Sequence, residues 1–197
     1  NTFTNLSLNT TGTTNFVLMT YSTTTGTGTK NVTNNSIVTG FTKTAANGNV
    51  ICVTDNGSSS TGTLTTVQNN NFSNITVLAT STILGTNLTD GGTAPAKNLT
   101  GNVFHNWSGA TGAITPINIT YWNGVSTLSN NTITNITGQG AITGINMGNT
   151  VATATSIAVS LNTITGLSST GAGGAVTGLV CANTSSGISI FDNVINT

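Results

Sequence analysis

Three aspartates are the only carboxylate side chains in this sequence, so any acid–base chemistry would have to use them. Asp55, Asp90 and Asp192 are widely separated, and the chain contains no Glu. Glycoside hydrolysis needs two carboxyl groups about 5–10 Å apart. Asp55 and Asp90 fall in different predicted loops, and Asp192 has no acidic neighbour. The pattern predicts aspartates that stabilise turns, and no catalytic residue.

His105 is the only histidine and offers the only imidazole for base catalysis or metal binding. One imidazole cannot make a zinc site without further nitrogen or sulfur ligands. No nucleophile motif accompanies it. Since it stands between inward-facing residues of a predicted strand, we expect an outward, surface imidazole. The sequence thus predicts no catalytic residue, no metal and no cofactor, in a protein that is not an enzyme.

Two aromatic residues in a predicted turn are the candidates for ligand contact. Tyr121 and Trp122 lead directly into the turn dipeptide Asn123-Gly124, so we expect at least one ring to be exposed. An exposed ring among Asn and Thr can stack on a sugar or anchor a protein contact. Packing of the turn over the core is the alternative interpretation.

The clearest pattern in the chain is a repeated asparagine. It recurs about every 31 residues, with successive gaps of 34, 35, 32, 29, 31 and 31 residues. An apolar residue stands two positions after it in every copy and, from the second copy onward, three positions before it. The positions are Asn1, Asn35, Asn70, Asn102, Asn131, Asn162 and Asn193.

A fixed period of this length indicates stacked structural repeats. The spacing of two between apolar residues is that of a strand with alternating faces, and the Gly, Thr, Ser and Asn runs between them indicate turns. About 30 residues make one coil of a β-solenoid with three short faces. We expect the asparagines to turn corners in the left-handed conformation and to stack as an amide ladder. Trp107 aligns with inward positions and is predicted to lie in the core.

The repeat resembles a known fold family. The Asn ladder and the inward Ile, Val and Leu stacks look like the right-handed parallel β-helix of the pectate-lyase-like superfamily. The segment NNTITNITG at 130–138 is similar to repeat regions of large secreted bacterial surface proteins. The resemblance implies an all-β, right-handed parallel β-helix of about six coils of roughly 31 residues. It says little about activity, because one fold hosts many functions. Lyases of the family use a basic residue, often Arg, and acidic calcium ligands, and this chain has neither an Arg nor an acidic cluster.

Charge is scarce throughout the chain. Its 197 residues include three Lys, three Asp, no Arg and no Glu, whereas about a quarter of a typical soluble domain is charged. Without cations to neutralise phosphates, binding to nucleic acid or to anionic membranes is not expected. No apolar run is long enough to insert into a bilayer. Weak charge repulsion favours self-association.

Two cysteines, Cys52 and Cys181, are assigned to the same inward column, four copies apart. At about 4.8 Å per coil they would lie roughly 19 Å apart, which is too far for a disulfide. We predict two small, buried, unpaired hydrophobic side chains.

The sequence predicts one β-solenoid domain over residues 1–197, either a segment of a longer chain or a filament subunit. Neither end carries the polar capping repeat that an isolated solenoid needs. The leading functional hypothesis is an extracellular or cell-surface filament, stalk or adhesin repeat whose copies stack end to end. A carbohydrate-binding module centred on Tyr121 and Trp122, or a non-catalytic part of a polysaccharide-degrading enzyme, is the alternative. Its many Asn-x-Ser/Thr sequences also allow glycosylation.

Overall fold

The computed structural model describes residues 1–9, 15–20, 28–56, 64–91, 95–148, 154–182 and 187–197. Every regular element in these ranges is a β-strand. In chain order the strands are β1 (Thr2–Phe3), β2 (Leu6–Leu8), β3 (Phe16–Thr20), β4 (Thr29–Thr33), β5 (Ser36–Ile37), β6 (Phe41–Lys43), β7 (Asn49–Asp55), β8 (Leu64–Gln68), β9 (Asn71–Val77), β10 (Thr82–Leu88), β11 (Ala96–Thr100), β12 (Val103–Ser108), β13 (Ile114–Ile119), β14 (Gly124–Ser129), β15 (Thr132–Gly138), β16 (Ile142–Met147), β17 (Ala154–Ser160), β18 (Thr163–Ser169), β19 (Val176–Cys181), β20 (Ile188–Phe191) and β21 (Val194–Asn196).

The strands form three parallel sheets, which the chain visits in the same order in every coil. Sheet 1 contains β1, β2, β5, β6, β9, β12, β15, β18 and β21. Sheet 2 contains β3, β7, β10, β13, β16 and β19, and sheet 3 contains β4, β8, β11, β14, β17 and β20. Each strand pairs with its counterparts one coil before and after, which confirms the parallel β-solenoid. At about 32 residues per coil, sheets 2 and 3 each contain six described strands, and the hand of the solenoid stays a prediction.

The core fills the space that the three sheets enclose. Inward columns of Ile, Leu, Val and Phe run along its length, and almost all of these side chains are fully buried. Trp107 pairs in register with Ile75 and Ile136, and its indole Nε1 donates a hydrogen bond to the Phe72 carbonyl oxygen at 2.6 Å. It is buried, so the prediction that it belongs to the core is confirmed.

Two columns of residues with positive φ make the bends of sheet 1. The first column stands directly before the repeated asparagine, and the second stands four or five residues after it. The repeated asparagines are in neither column, so the prediction that they adopt the left-handed conformation is wrong. Their side chains face inward, and the preceding residue makes the bend instead. The first column is Asn34, Asn69, Gly101, Asn130, Leu161 and Asp192, and the second is Asn5, Gly40, Asn74, Asn106, Asn135 and Gly166.

The two cysteines do not share a column. The register of β7 with β10 places Cys52 beside Gly85, whereas Cys181 pairs with Met147. Cys52 is buried and unpaired, as predicted, but Cys181 is exposed. The prediction of a shared column assumed strict alternation along each strand. In β10 and β13 two consecutive residues are buried, which breaks that alternation and shifts the register by three residues.

Candidate functional site

The repeated asparagines form a continuous amide ladder. From Asn1 to Asn162, each Nδ2 donates to the Oδ1 of the asparagine one coil later, over 2.7–2.9 Å. From Asn35 to Asn162, the backbone N–H also donates to that same Oδ1, over 3.0–3.1 Å. The predicted ladder is therefore confirmed as a structural feature.

Inside the ladder every hydrogen-bonding group of the amide has a partner. Asn131 is fully buried. Its Nδ2 donates to Asn162 Oδ1 and to the Leu99 carbonyl oxygen, while its Oδ1 accepts from the backbone and side-chain nitrogens of Asn102. Two donors and two acceptors are the full capacity of a primary amide. No group remains to bind a ligand.

Two shorter amide ladders lie on the outside of the solenoid. On sheet 2, Asn118 Nδ2 donates to Asn87 Oδ1 at 2.7 Å, and Asn146 Nδ2 donates to Asn118 Oδ1 at 2.8 Å. At the second bend of sheet 1, Asn106 donates to Asn74, and Asn135 donates to Asn106. Neither ladder was predicted from the sequence, although asparagines at the coil period were the signal that could have shown them.

The two candidate sugar-contacting aromatics lie between β13 and β14. Trp122 is fully buried, so neither face of its indole is open to stack on a sugar. Its Nε1 has no hydrogen-bond partner among the described residues. Tyr121 is half-buried. The structure therefore favours packing of this turn over the core and leaves Tyr121 alone as a candidate contact.

His105 is a half-buried residue on an outward position of β12. Its Nδ1 lies 2.8 Å from the Thr134 hydroxyl oxygen on the neighbouring strand. Within the described ranges no three His, Cys, Asp or Glu side chains come close enough to hold a metal ion. The hydrogen-bonding contact that the structure gives this imidazole is with the Thr134 hydroxyl.

A buried group of charged side chains lies where sheet 2 leads into sheet 3, and we call it the ionic corner. It consists of Lys30, Asp55, Asp90 and Lys97. Lys30 Nζ is 2.6 Å from Asp55 Oδ2, and Lys97 Nζ is 3.0 Å from Asp90 Oδ2. All four side chains are at most 5% exposed. Both lysines pair in register with Thr65, so they occupy one inward column, two coils apart.

The placement of the two aspartates corrects the sequence-based prediction. Asp55 is the last residue of β7 and Asp90 follows β10 by two residues, so both lie at the same corner of successive coils. Each carries a lysine partner, and the negative charge of Asp55 acts on Asp90. The position of the lysines in the alternation of each strand could have shown this. Lys30 and Lys97 stand two residues before inward Val32 and Leu99, so they lie on the same, inward face of the strand.

Burial controls the protonation of the Asp90–Lys97 pair. It raises the pKa of the Asp90 carboxyl, against the opposing effect of the Lys97 charge and hydrogen bond. It lowers the pKa of the Lys97 amine, again against the effect of its partner. Removal from water disfavours the charged form of both groups. Both side chains are therefore shifted toward their neutral states.

The remaining lysine is also inside the molecule. Lys43 Nζ donates to the carbonyl oxygens of Ala45 and Asn47 and to the Ser81 hydroxyl. Five of the six charged side chains are thus buried, and only Asp192 is exposed. The described surface is consequently almost free of charged side chains.

Three grooves on the described surface have volumes of about 320, 350 and 200 Å³. They are lined by residues such as Asn35, Gln139 and Ser81, and none has a charged side chain or a histidine in its lining. None of them reaches the ionic corner. The grooves therefore offer amide, hydroxyl, backbone and a few apolar groups for contact, and no acidic or basic side chain.

No helix within the described ranges has the length and apolar character needed to cross a membrane.

Comparison with known proteins gives no family assignment. The chain matches no protein-family model, no curated protein and no solved structure.

Proposed function

We propose that this chain is a structural β-solenoid that forms an extracellular or cell-surface rod, as a filament subunit, stalk or adhesin repeat. The main support is that the reactive side chains make their ion pairs and hydrogen bonds inside the molecule. Five of the six charged groups are buried with partners, and the inner ladder amides have all their hydrogen bonds inside the fold.

The uncharged surface supports the same role. Thr, Ser and Asn side chains cover the outside, so contacts with other molecules would rest on hydrogen bonds and packing. Such contacts depend little on ionic strength, because salt screens only the interaction between charges. A rod that works outside the cell would keep its contacts across a wide range of salt concentration.

The last coil presents the surface on which end-to-end assembly would rest. Ile190, Phe191, Val194 and Ile195 are 47–56% exposed there. Asn193 Nδ2 donates to the Phe191 carbonyl oxygen, where every earlier ladder asparagine donates to the next Oδ1. We propose that the occupant of this surface is the first coil of a second copy, whose Asn1 Oδ1 would extend the ladder.

The topology constrains how two copies could meet. Sheet 1 has seven levels of described strands, from β1 to β21, whereas sheets 2 and 3 have six each. Stacking Phe3 of one copy over Ile195 of another would therefore leave a space one coil high at sheets 2 and 3. The axial repeat of such a filament would be roughly 34 Å, seven times the strand spacing of about 4.8 Å.

Electron microscopy of the purified chain at neutral pH tests the assembly. We expect fibres with this axial repeat, in low and in high salt alike. Ile195→Asp should abolish them by placing a charge in the stacking surface, and Thr134→Asp, on the side of the rod, should leave them intact. Discrete particles at every concentration would contradict end-to-end assembly and would indicate that further coils of a longer chain cover this end.

We also propose membership of the pectate-lyase-like superfamily, in a secreted bacterial surface protein. The support is the parallel coil with its Asn ladder. Carbohydrate binding is less well supported, because Trp122 is buried and only Tyr121 remains. Binding of a polysaccharide measured by titration calorimetry, with loss of the binding heat in Tyr121→Ala, would favour it.

A further inference from the structure

The Asp90–Lys97 pair has an unusual environment for two ions. Both side chains are completely buried, with Lys97 Nζ 3.0 Å from Asp90 Oδ2. The amine also donates to the Pro95 carbonyl oxygen at 3.3 Å. The other carboxyl oxygen, Asp90 Oδ1, has no hydrogen-bond partner among the described residues. The carboxyl group is thus in contact with one nucleophilic nitrogen and excluded from water.

The cost of burying this pair favours the neutral acid beside the neutral amine. Taking two charges out of water is expensive, and their mutual attraction compensates fully only when the remaining oxygens and protons are hydrogen-bonded. The unpartnered Asp90 Oδ1 shows that this condition is not met here. Lys30 and Asp55 are the other charged groups that act on the pair, and their opposite signs oppose each other. A neutral amine is a nucleophile, whereas an ammonium ion is not.

We propose that Asp90 and Lys97 condense to an amide that cross-links the two side chains. The lone pair of Lys97 Nζ attacks Asp90 Cγ and forms a C–N bond. One C–O bond of the carboxylic acid breaks, and its oxygen leaves as water with one proton from the amine and one from the acid. The step balances without an oxidant or a reductant. A fixed contact between reacting groups corresponds to a very high effective concentration, which favours the intramolecular reaction.

The cross-link would close the corner between two sheets. Asp90 follows β10 of sheet 2, and Lys97 lies in β11 of sheet 3, so the amide would join the two strands covalently across the bend. It would replace the buried acid and amine with one amide, which carries no charge at any pH near neutrality. This inference stands whether or not the solenoid assembles end to end.

Mass spectrometry of the whole purified chain, from a host that does not glycosylate it, is the test. We expect the intact mass to fall below the sequence mass by one water molecule. Because the chain has only three lysines and no Arg, trypsin gives a simple map. A cross-linked Lys97 would resist cleavage after denaturation and leave residues 44–197 in one fragment. Lys97→Met should restore the full expected mass, and Lys43→Met, which changes a lysine outside the ionic corner, should retain the loss of water.

Two results would overturn the proposal. The first is a wild-type mass equal to that of the sequence. The second is a loss of water with normal cleavage after Lys97, which would place the condensation elsewhere, for example in a cyclic imide at Asp90-Gly91. Because the wild-type measurement is decisive by itself, the proposal can be tested even if a variant fails to fold.

Discussion

The corner between sheets 2 and 3 is ionic in the first coils and apolar in the later ones. Strands of successive coils pair in register, so the side chains at one position of the coil can be compared along the chain. The first column contains Lys30, Thr65, Lys97, Ser126, Ile157 and Ile188. The second contains Asp55, Leu88, Ile119, Met147 and Cys181. The coil geometry is thus compatible with either charged or apolar side chains at this corner, so the ion pairs do not define the fold.

The Asn ladder, unlike this corner, is the same in the early and the later coils. It has the same residue and the same hydrogen bonds in the early coils, at Asn70, and in the later ones, at Asn131. A feature that does not vary between the two halves meets a requirement of every coil. The ladder supplies partners for backbone groups at the bend, which apolar side chains cannot do.

The largest effect should come from breaking the ion pair of the first coils. Asp55→Leu, the residue found one coil later, leaves Lys30 buried without its carboxylate and should lower the free energy of unfolding by about 3–5 kcal/mol. Equilibrium denaturation followed by circular dichroism measures it. The double variant Lys30→Ile/Asp55→Leu should return to within about 1 kcal/mol of the wild type, or exceed it. A double variant as unstable as the single one would show that the early coils require the ions.

The next largest effect should come from the ladder. Asn131→Ala removes the acceptor of the Asn102 backbone N–H and of one Nδ2 proton of Asn102, while Nδ2 keeps its bond to the Val67 carbonyl oxygen. Each buried group that loses its partner costs about 1–3 kcal/mol. We expect a total loss of about 3 kcal/mol in denaturant unfolding, and a similar loss for Asn70→Ala.

Asn146→Ala is the matched control for the ladder variants. Its side chain is half-buried and belongs to an outer ladder, so the groups left behind can turn to water and the loss should stay below about 1 kcal/mol. Equal losses for Asn131→Ala and Asn146→Ala would refute the special role of the inner ladder.

A smaller effect, of opposite sign, is expected at Leu161. It has φ +57° at a bend where other coils use Asn, Gly or Asp, and its side chain is 52% exposed. The left-handed conformation is strained for a Leu, so Leu161→Asn should raise the free energy of unfolding by about 1 kcal/mol. The reverse change, Asn130→Leu, should lower it by a similar amount. Urea midpoints of the two variants check both signs.

The last prediction concerns the reactivity of the two cysteine thiols, which should differ, and involves no change in the free energy of unfolding. Burial raises the pKa of Cys52, and the thiolate is the reactive form. Cys181 is exposed on the last strand of sheet 2. We expect one thiol per chain to react with a disulfide reagent in native buffer, and two in denaturant. Rapid modification of both in native buffer would contradict the buried position of Cys52.

The sequence predicted the period, the inner ladder and the inward Trp107, but it missed the register of sheet 2, the outer ladders, the residues that make the bends and the ionic corner. The period of the asparagines and the inward position of Trp107 follow from spacing alone, because every coil imposes the same constraint. The ionic corner involves residues far apart in sequence, such as Lys30 and Asp55, and only the register of the coils brings them together. The buried position of Trp122 depends on how one particular turn folds over the core, which no periodicity encodes.

The ladders also give the solenoid an electrical direction. Amides aligned head to tail add their dipoles, as the peptide units of a helix do. In the inner ladder the donors point toward later coils, but in both outer ladders they point toward earlier ones. The opposed rows partly cancel, so a rod of many coils would gain little dipole moment as it grows. Neighbouring rods would then feel almost no long-range torque, and contact chemistry alone would decide whether they lie parallel or antiparallel.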